Sequence, residues 1–297
     1  MDFQTSDRVG VSDDFTEGAL LRWKREGGLP EGRSPQEFFD FDIRLFGFDQ
    51  GFSAESEDAA GIDRINAPST GEALTLTYEK AKRQDRFLAL SFMEPFEHIS
   101  GVVGREQLLM MMAEDADRAA GLFANSLDFT LNMCQLILDK GYTFDGAWLW
   151  GDLAHKKGLM FSTDYYRSFL FDLHKELCDF FTGKGMPVIF HSDGNVKELI
   201  PHLIKAGVRA IEPLESDVGM DLPFIKREYG AYVVLFGGID EMSFTDKDRT
   251  RGEIASKFDY LMNGGGYIYH ADSPIQENVR FEDYKYAIET VRKYGSY

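Results

Sequence analysis

Three features of this 297-residue chain predict an α/β fold of the (β/α)8 TIM-barrel class. Short apolar segments run straight into polar and acidic clusters, helical periodicity fills most of the intervals between them, and two successive strand-to-strand spacings are about 21 and 25 residues. A parallel strand buried on both faces reads as a short apolar run, and its carboxyl end is where such a barrel keeps its chemistry.

The elements follow in order. Val9 to Val11 is a first strand candidate. Thr16 to Glu26 carries Leu20, Leu21 and Trp23 at helical spacing and stops at Gly27-Gly28-Leu29-Pro30. A second helix is expected from Pro35 to Phe46, ending at Gly47, and the polar stretch Gly51 to Thr70 reads as an exposed excursion. Residues 1–85 are thus expected to be a peripheral part of the same domain, with residues 86–297 as the barrel body.

In the body, Phe87 to Phe92 is a strand leading into Glu94-Pro95-Phe96. Helices are expected over about Arg105 to Ala113 and Asp115 to Lys140, the second closed by Gly141. Thr163 to Phe181 has the clearest periodicity, with Tyr166, Phe169, Leu170, Leu173, Leu177 and Phe181 on one face. Val196 to Lys205 and Leu222 to Tyr229 are shorter helices. Five further strands end at the rim: Ala147 to Trp150, Val188 to Phe190, Ala210-Ile211, Val233 to Phe236, and Tyr267 to Tyr269. The count reaches roughly seven, so the eighth strand is cryptic or the barrel is incomplete.

Composition narrows the function. The chain is 43% hydrophobic and 28% charged, with 25 Phe and 13 Tyr, enough for one large core. A formal net charge of −18 repels phosphate backbones and anionic lipid, which argues against nucleic-acid or membrane-surface partners. No apolar run approaches the roughly 20 residues of a membrane span. The N-terminus lacks a basic region followed by an apolar one, and Cys134 and Cys178 read as buried thiols, so a cytoplasmic location is expected.

The rim residues are the candidate site. His191 and Asp193 follow Phe190 directly and stand two apart, so in an extended segment both point the same way. Imidazole nitrogen and carboxylate oxygen are both ordinary ligands of a zinc-like ion. Glu212 and Glu215 follow the next strand, and either can supply a third oxygen. His270 and Asp272 end the last strand, Asp152 follows Trp150, and Asp240 follows Gly237-Gly238-Ile239. His98, His155, His174 and His202 are expected to be structural or solvated. Such a cluster supports a Lewis-acid metal, a metal-free acid–base pair, or binding of a cationic or polyhydroxy ligand.

In these segments the chain resembles the uroporphyrinogen decarboxylase superfamily, which also contains cobalamin-dependent methyltransferases. The resemblance is carried by Gly151 to Ala154 with Phe161 to Tyr166, Gly185 to Gly194, Gly207 to Glu215, Gly219 to Asp221, Tyr229-Gly230, Gly237 to Asp240, Gly264 to Asp272 and Tyr294-Gly295. The N-terminus, Asp7 to Asp14, lacks the arginine-rich motif of true decarboxylases. The thiol-methylating branch holds zinc with His-x-Cys and a distant Cys. Here His191 matches, Asp193 stands in the place of that Cys, and Glu215 is similar to the Glu that often joins the set. Ser273 stands where relatives often carry a His.

Carboxylates in place of thiolates make a harder Lewis acid, suited to polarising an ether or phenolate oxygen. The resemblance therefore implies transfer of a methyl group from a small O- or N-methylated compound to a corrinoid carried by a partner protein. It implies His191, Asp193, Glu215 and Asp272 as zinc ligands, with Asp152 at the reacting group. Trp148, Trp150, Tyr267 and Tyr269 would frame a flat substrate, with Asp240 and His270 nearby. Tetrapyrrole decarboxylation and non-catalytic small-molecule binding are the rival expectations, and a homodimer is the expected assembly.

Overall fold

A computed structural model describes residues 7–48, residue 50 and residues 78–297. The expected excursion from Gly51 to Thr70 lies outside the described residues. The strands in chain order are β1 (Gly10–Val11), β2 (Ile43–Gly47), β3 (Phe87–Met93), β4 (Gly146–Trp150), β5 (Ala154–His155), β6 (Gly158–Leu159), β7 (Val188–His191), β8 (Ala210–Glu212), β9 (Val234–Phe236) and β10 (Tyr267–Tyr269). Strand–helix alternation with parallel pairing gives an α/β fold of the TIM-barrel class, incomplete as the strand count foretold. The chain divides into two compact units, one formed by Met1–Ile43 with Ala210–Tyr297 and the other by Arg44–Arg209. Position 85/86, the boundary expected between periphery and body, falls inside the second.

In the second unit the strand order is β7-β4-β3-β2. β3 and β4 pair in parallel from Ala89 opposite Gly146 to Met93 opposite Trp150. β4 and β7 pair from Ala147 opposite Val188 to Trp150 opposite His191. Leu88 to Phe92 and Ala147 to Leu149 are all buried, as strands covered on both faces must be. The helices Pro95–Val103, Arg105–Glu114 and Ala116–Asp139 follow β3, and Thr163–Phe169, Phe171–Thr182 and Ile200–Ala206 come later.

In the first unit the order is β1-β10-β9-β8, again parallel. The helix Phe281–Tyr294 buries Phe281, Tyr284, Ala287, Ile288 and Val291, an apolar stripe at three- and four-residue steps. Trp23 on the helix Glu17–Arg25 is fully buried; it lies against Phe15 at 5.3 Å, Tyr284 at 5.3 Å and Phe281 at 5.6 Å, and its Nε1–H donates to the Val279 carbonyl. N-terminal residues thus belong to the core of this unit.

Three expectations about elements need correction. The helix expected from Pro35 to Phe46 ends at Phe38, and after a turn through residues 39–42 the chain enters β2, the cryptic eighth strand, at Ile43. Asp40 sits in the left-handed region at φ 56°, which no helix continues through. The apolar residues Phe38, Phe39, Phe41, Leu45 and Phe46 imitate helical spacing, but they are divided among the helix end, the turn and β2. The long helix from Thr163 breaks at Leu170, where φ is −120°, into the segments Thr163–Phe169 and Phe171–Thr182. The helix expected from Val196 begins only at Ile200, because the chain first has to turn after Gly194. No described helix is long and apolar enough to cross a membrane.

Candidate functional site

The strand registers build the site in the second unit. Pairing of Trp150 with His191 sets their rings 4.3 Å apart at the carboxyl ends of β4 and β7. The ladder continues one residue further, as Glu94 N–H donates to the Trp150 carbonyl and Gly151 N–H to the His191 carbonyl. Asp152 follows that last bond. Its Oδ1 accepts the Asp193 backbone N–H at 3.0 Å and lies 3.5 Å from His191 Nε2. Asp193 Oδ1 is 3.7 Å from the same nitrogen. Ser192, fully buried, accepts the Leu153 N–H and donates to the Asp193 carbonyl, tying the β4 and β7 loops together. Gly194, at φ 85°, lies so near the β5–β6 hairpin that a Cβ there would be 2.7 Å from the His155 backbone nitrogen.

Asp152, His191 and Asp193 form a group whose ligand atoms all lie within 4.8 Å of one another. Burial pushes the Asp152 carboxyl up, but the hydrogen bond and charge of His191 outweigh it and leave the group below its ordinary value. Glu97, on the first turn of the helix Pro95–Val103, behaves oppositely. Burial raises it to about 6, with Arg105 opposing and the charges of Asp152 and Glu94 adding. Arg105 Nη2 binds both Glu97 oxygens, at 2.8 and 2.6 Å. The ring of Trp150 is fixed by its Nε1–H donating to Ser91 Oγ at 2.7 Å. Trp148 is buried beside it, 5.6 Å between centroids.

The first unit gathers a second group, Asp240, Glu241 and Asp272. Asp272 Oδ2 accepts from Ser216 Oγ at 3.0 Å, and Lys257 Nζ donates to that hydroxyl and to the Gly238 carbonyl. Burial, a hydrogen bond to Asp272 and the charge of Asp272 raise Glu241 to about 8. Asp272 is raised too, chiefly by burial, so the two carboxyls hold a proton between them at neutral pH. Asp240 caps the turn Glu241–Thr245 through the Met242 N–H.

His270 is buried in this unit, 3.7 Å from Asp13, 3.6 Å from Glu212 and 4.0 Å from Asp14. Burial pulls its pKa down, but the charges of Glu212, Asp13 and Asp14 prevail and raise it. Asp13 accepts from Tyr284 Oη at 2.6 Å, Tyr269 Oη at 3.0 Å and the Ala271 N–H at 2.8 Å. Burial still holds its carboxyl up at about 6. Tyr267 is buried as well, its hydroxyl donating to the Gly237 carbonyl.

Comparison with known proteins gives this geometry a family. A model described as Uroporphyrinogen decarboxylase (URO-D) matches residues 53–294. The chain belongs to the URO-D family. Among solved structures, a methyltransferase from Methanosarcina mazei is similar at 14% identity and a TM-score of 0.74, over 98% of this chain and 95% of that one. A GH5 xyloglucan-specific β-1,4-glucanase from a ruminal metagenomic library is similar at 8% identity and a TM-score of 0.55, over 98% of this chain and 95% of that one. These likenesses show a shared fold. No protein in the curated set matches the chain.

Of the four ligands expected for zinc in this URO-D family chain, His191 and Asp193 come together, joined by Asp152. Asp272 belongs to the group with Asp240 and Glu241. Glu215, buried at the cap of the turn Ser216–Val218, is a member of neither group. Sequence reasoning passed over Glu97, Arg105, Asp13 and Glu241. Glu97 had a signal: it stands three residues after Glu94 in Glu94-Pro95-Phe96-Glu97, the spacing of a helix start. Asp13 and Glu241 are surrounded by partners distant in sequence, and nothing local announced them.

Proposed function

We propose that this URO-D family chain is a metal-dependent methyltransferase-like enzyme. It moves a methyl group from a small O- or N-methylated compound to a corrinoid carried by a partner protein. The observation that carries the reading is the convergence of Asp152, His191 and Asp193 within 4.8 Å. One imidazole and two carboxylates are three protein ligands, the number a catalytic zinc keeps while leaving a position for substrate. A cation also suits an Asp152 held below its ordinary pKa, since the ligand is already deprotonated. When bound, a zinc-like ion in this hard donor set would polarise the methyl-bearing oxygen.

The chain's own residues do the rest. Trp150, packed on His191 and held by Ser91, offers a flat wall against which an aromatic methyl ether can lie. Glu97 is raised to about 6, so near neutrality it can both hold and release a proton. A reduced corrinoid, when bound by its carrier, would accept the methyl group; Glu97, kept in place by Arg105, would give its proton to the oxygen that loses the methyl carbon. The fold likeness to a methyltransferase supports the same direction without deciding it.

The test is direct. Purified protein loaded with zinc is mixed with methylated phenols or amines and reduced cobalamin, and methylcobalamin formation is followed by absorbance. Turnover that disappears in His191→Ala supports the reading. Conversion of uroporphyrinogen to coproporphyrinogen by the same preparation would replace it with tetrapyrrole decarboxylation.

A further inference from the structure

Near the His191 group lies a line of buried polar side chains that the proposed chemistry leaves unused. His174, on the helix Phe171–Thr182, is fully buried, as is Glu94. Tyr166 Oη is 3.0 Å from His174 Nδ1, and His174 Nε2 is 2.9 Å from Glu94 Oε2. With the tyrosine donating to Nδ1, the ring places its N–H on Nε2 and donates to the carboxylate. Glu94 accepts two more bonds, from the Phe96 N–H at 2.9 Å and the Glu97 N–H at 2.6 Å. It is therefore the N-cap of the helix Pro95–Val103.

An ordinary cap is a short side chain near solvent. This one is a buried glutamate with a histidine and a tyrosine behind it. It also abuts the strand end that leads into the candidate site: a Cβ on Gly151 would stand 2.4 Å from Glu94 Cγ, 3.1 Å from Cδ and 3.0 Å from Phe190 Cζ. Glycine is thus what lets the Glu94 carboxylate lie directly against the residue before Asp152. The same carboxylate grips the backbone of Glu97, whose side chain Arg105 then clamps. We infer that Glu94, held by His174 and Tyr166, is a positioning residue that seats Glu97 and its Arg105 partner beside Asp152. The role attributed to Glu97 rests on the methyl-transfer reading above; the seating rests on the Glu97 N–H bond to Glu94, on the close approach of Glu94 to Gly151 and on the charge interaction of Glu97 with Asp152.

The experiment uses the full chain and three variants, Glu94→Gln, His174→Leu and His174→Gln. Glutamate labelled with 13C at the carboxyl carbon reports titration of Glu97, assigned by loss of its signal in Glu97→Gln, and Co2+ absorbance reports the metal group. The groups acting on Glu97 are Arg105, Asp152, Glu94 and His191. The wild type is expected to titrate near pH 6, and Glu94→Gln, which removes one of the two carboxylate charges that raise Glu97, to move that midpoint down while burial still holds it above the ordinary value. His174→Leu shifts it in the same direction, and His174→Gln, which keeps an N–H donor, restores it. Co2+ affinity falls on the order of 10-fold in the two shifting variants, as for other groups that orient ligands from behind.

A Glu97 midpoint unmoved in folded Glu94→Gln overturns the inference and leaves Glu94 a plain cap. If His174→Leu does not fold, the isosteric Glu94→Gln decides. A wild type that takes up no Co2+ defeats the metal reading instead, and the carboxyl titration then decides this inference by itself.

Discussion

At the end of β4, Asp152 is held below its ordinary pKa; after β10, Asp272 is held above it. Both follow an apolar strand, and each belongs to a group of three ligand-bearing side chains. The difference lies in the company. Asp152 has an imidazole at 3.5 Å and a backbone N–H at 3.0 Å, both favouring the charged form. Asp272 is raised chiefly by burial, with the Asp240 charge adding, while hydrogen bonds with Glu241 and Ser216 and the Lys257 charge oppose; its neighbour Glu241 is raised by burial and by Asp272. An acidic triplet is thus no predictor of a cation site until its proton inventory is known. The group with a histidine holds its Asp152 carboxylate charged; the all-carboxylate group holds Glu241 raised to about 8.

The strongest way to break that contrast is Asp152→Asn. It removes the charge of one of the three proposed ligands and its ion pairing with His191, while the amide oxygen can still accept the Asp193 N–H. Calorimetric titration with Zn2+ should show a loss of affinity of at least about 100-fold, larger than the 10- to 100-fold typical of groups behind the ligands. Asp272→Asn should leave Zn2+ affinity unchanged.

Gly151→Ala should come next in size. The added methyl meets Glu94 Cγ at 2.4 Å, with Phe190 closing the other side. Overpacking of this kind costs about 1–3 kcal/mol, readable as a lower urea midpoint. An alanine variant as stable as the wild type would mean that Glu94 can withdraw, and that the packing around Asp152 is loose.

A smaller effect sharpens the other half. Glu241 is raised from 4.5 to about 8, so the folded state keeps a proton that the unfolded chain releases. Its contribution to stability is whole below about pH 4.5 and is lost as pH rises toward 8. Chemical denaturation from pH 5 to 8 should show stability falling with pH, and Glu241→Gln should flatten that slope. Asp152 has the reverse sign: its contribution is whole above the ordinary carboxylate range and is lost on acidification.

Legibility in the sequence followed the range of the interactions. His191 and Asp193 stood out because strand periodicity alone puts them at one rim, and Asp152 because it ends another strand. The His191 group drew its third member from Asp152 because β4 and β7 are neighbours in register, a fact set by hydrogen-bonded pairing and invisible in spacing. β2 stayed hidden because Phe38 to Phe46 satisfies a helical period while Asp40 breaks the helix through one dihedral. His174, expected to be structural or solvated, is a buried histidine hydrogen-bonded on both ring nitrogens. Its partner Glu94, 80 residues away, was not legible.

The central claim is that the Asp152–His191–Asp193 group holds a catalytic cation. Metal content after zinc loading and desalting, compared across wild type, His191→Ala and Glu241→Gln, tests it most directly. One zinc per chain in the wild type and in Glu241→Gln, with none in His191→Ala, is the predicted result. Zinc retained by His191→Ala, or no zinc in the wild type, would contradict it.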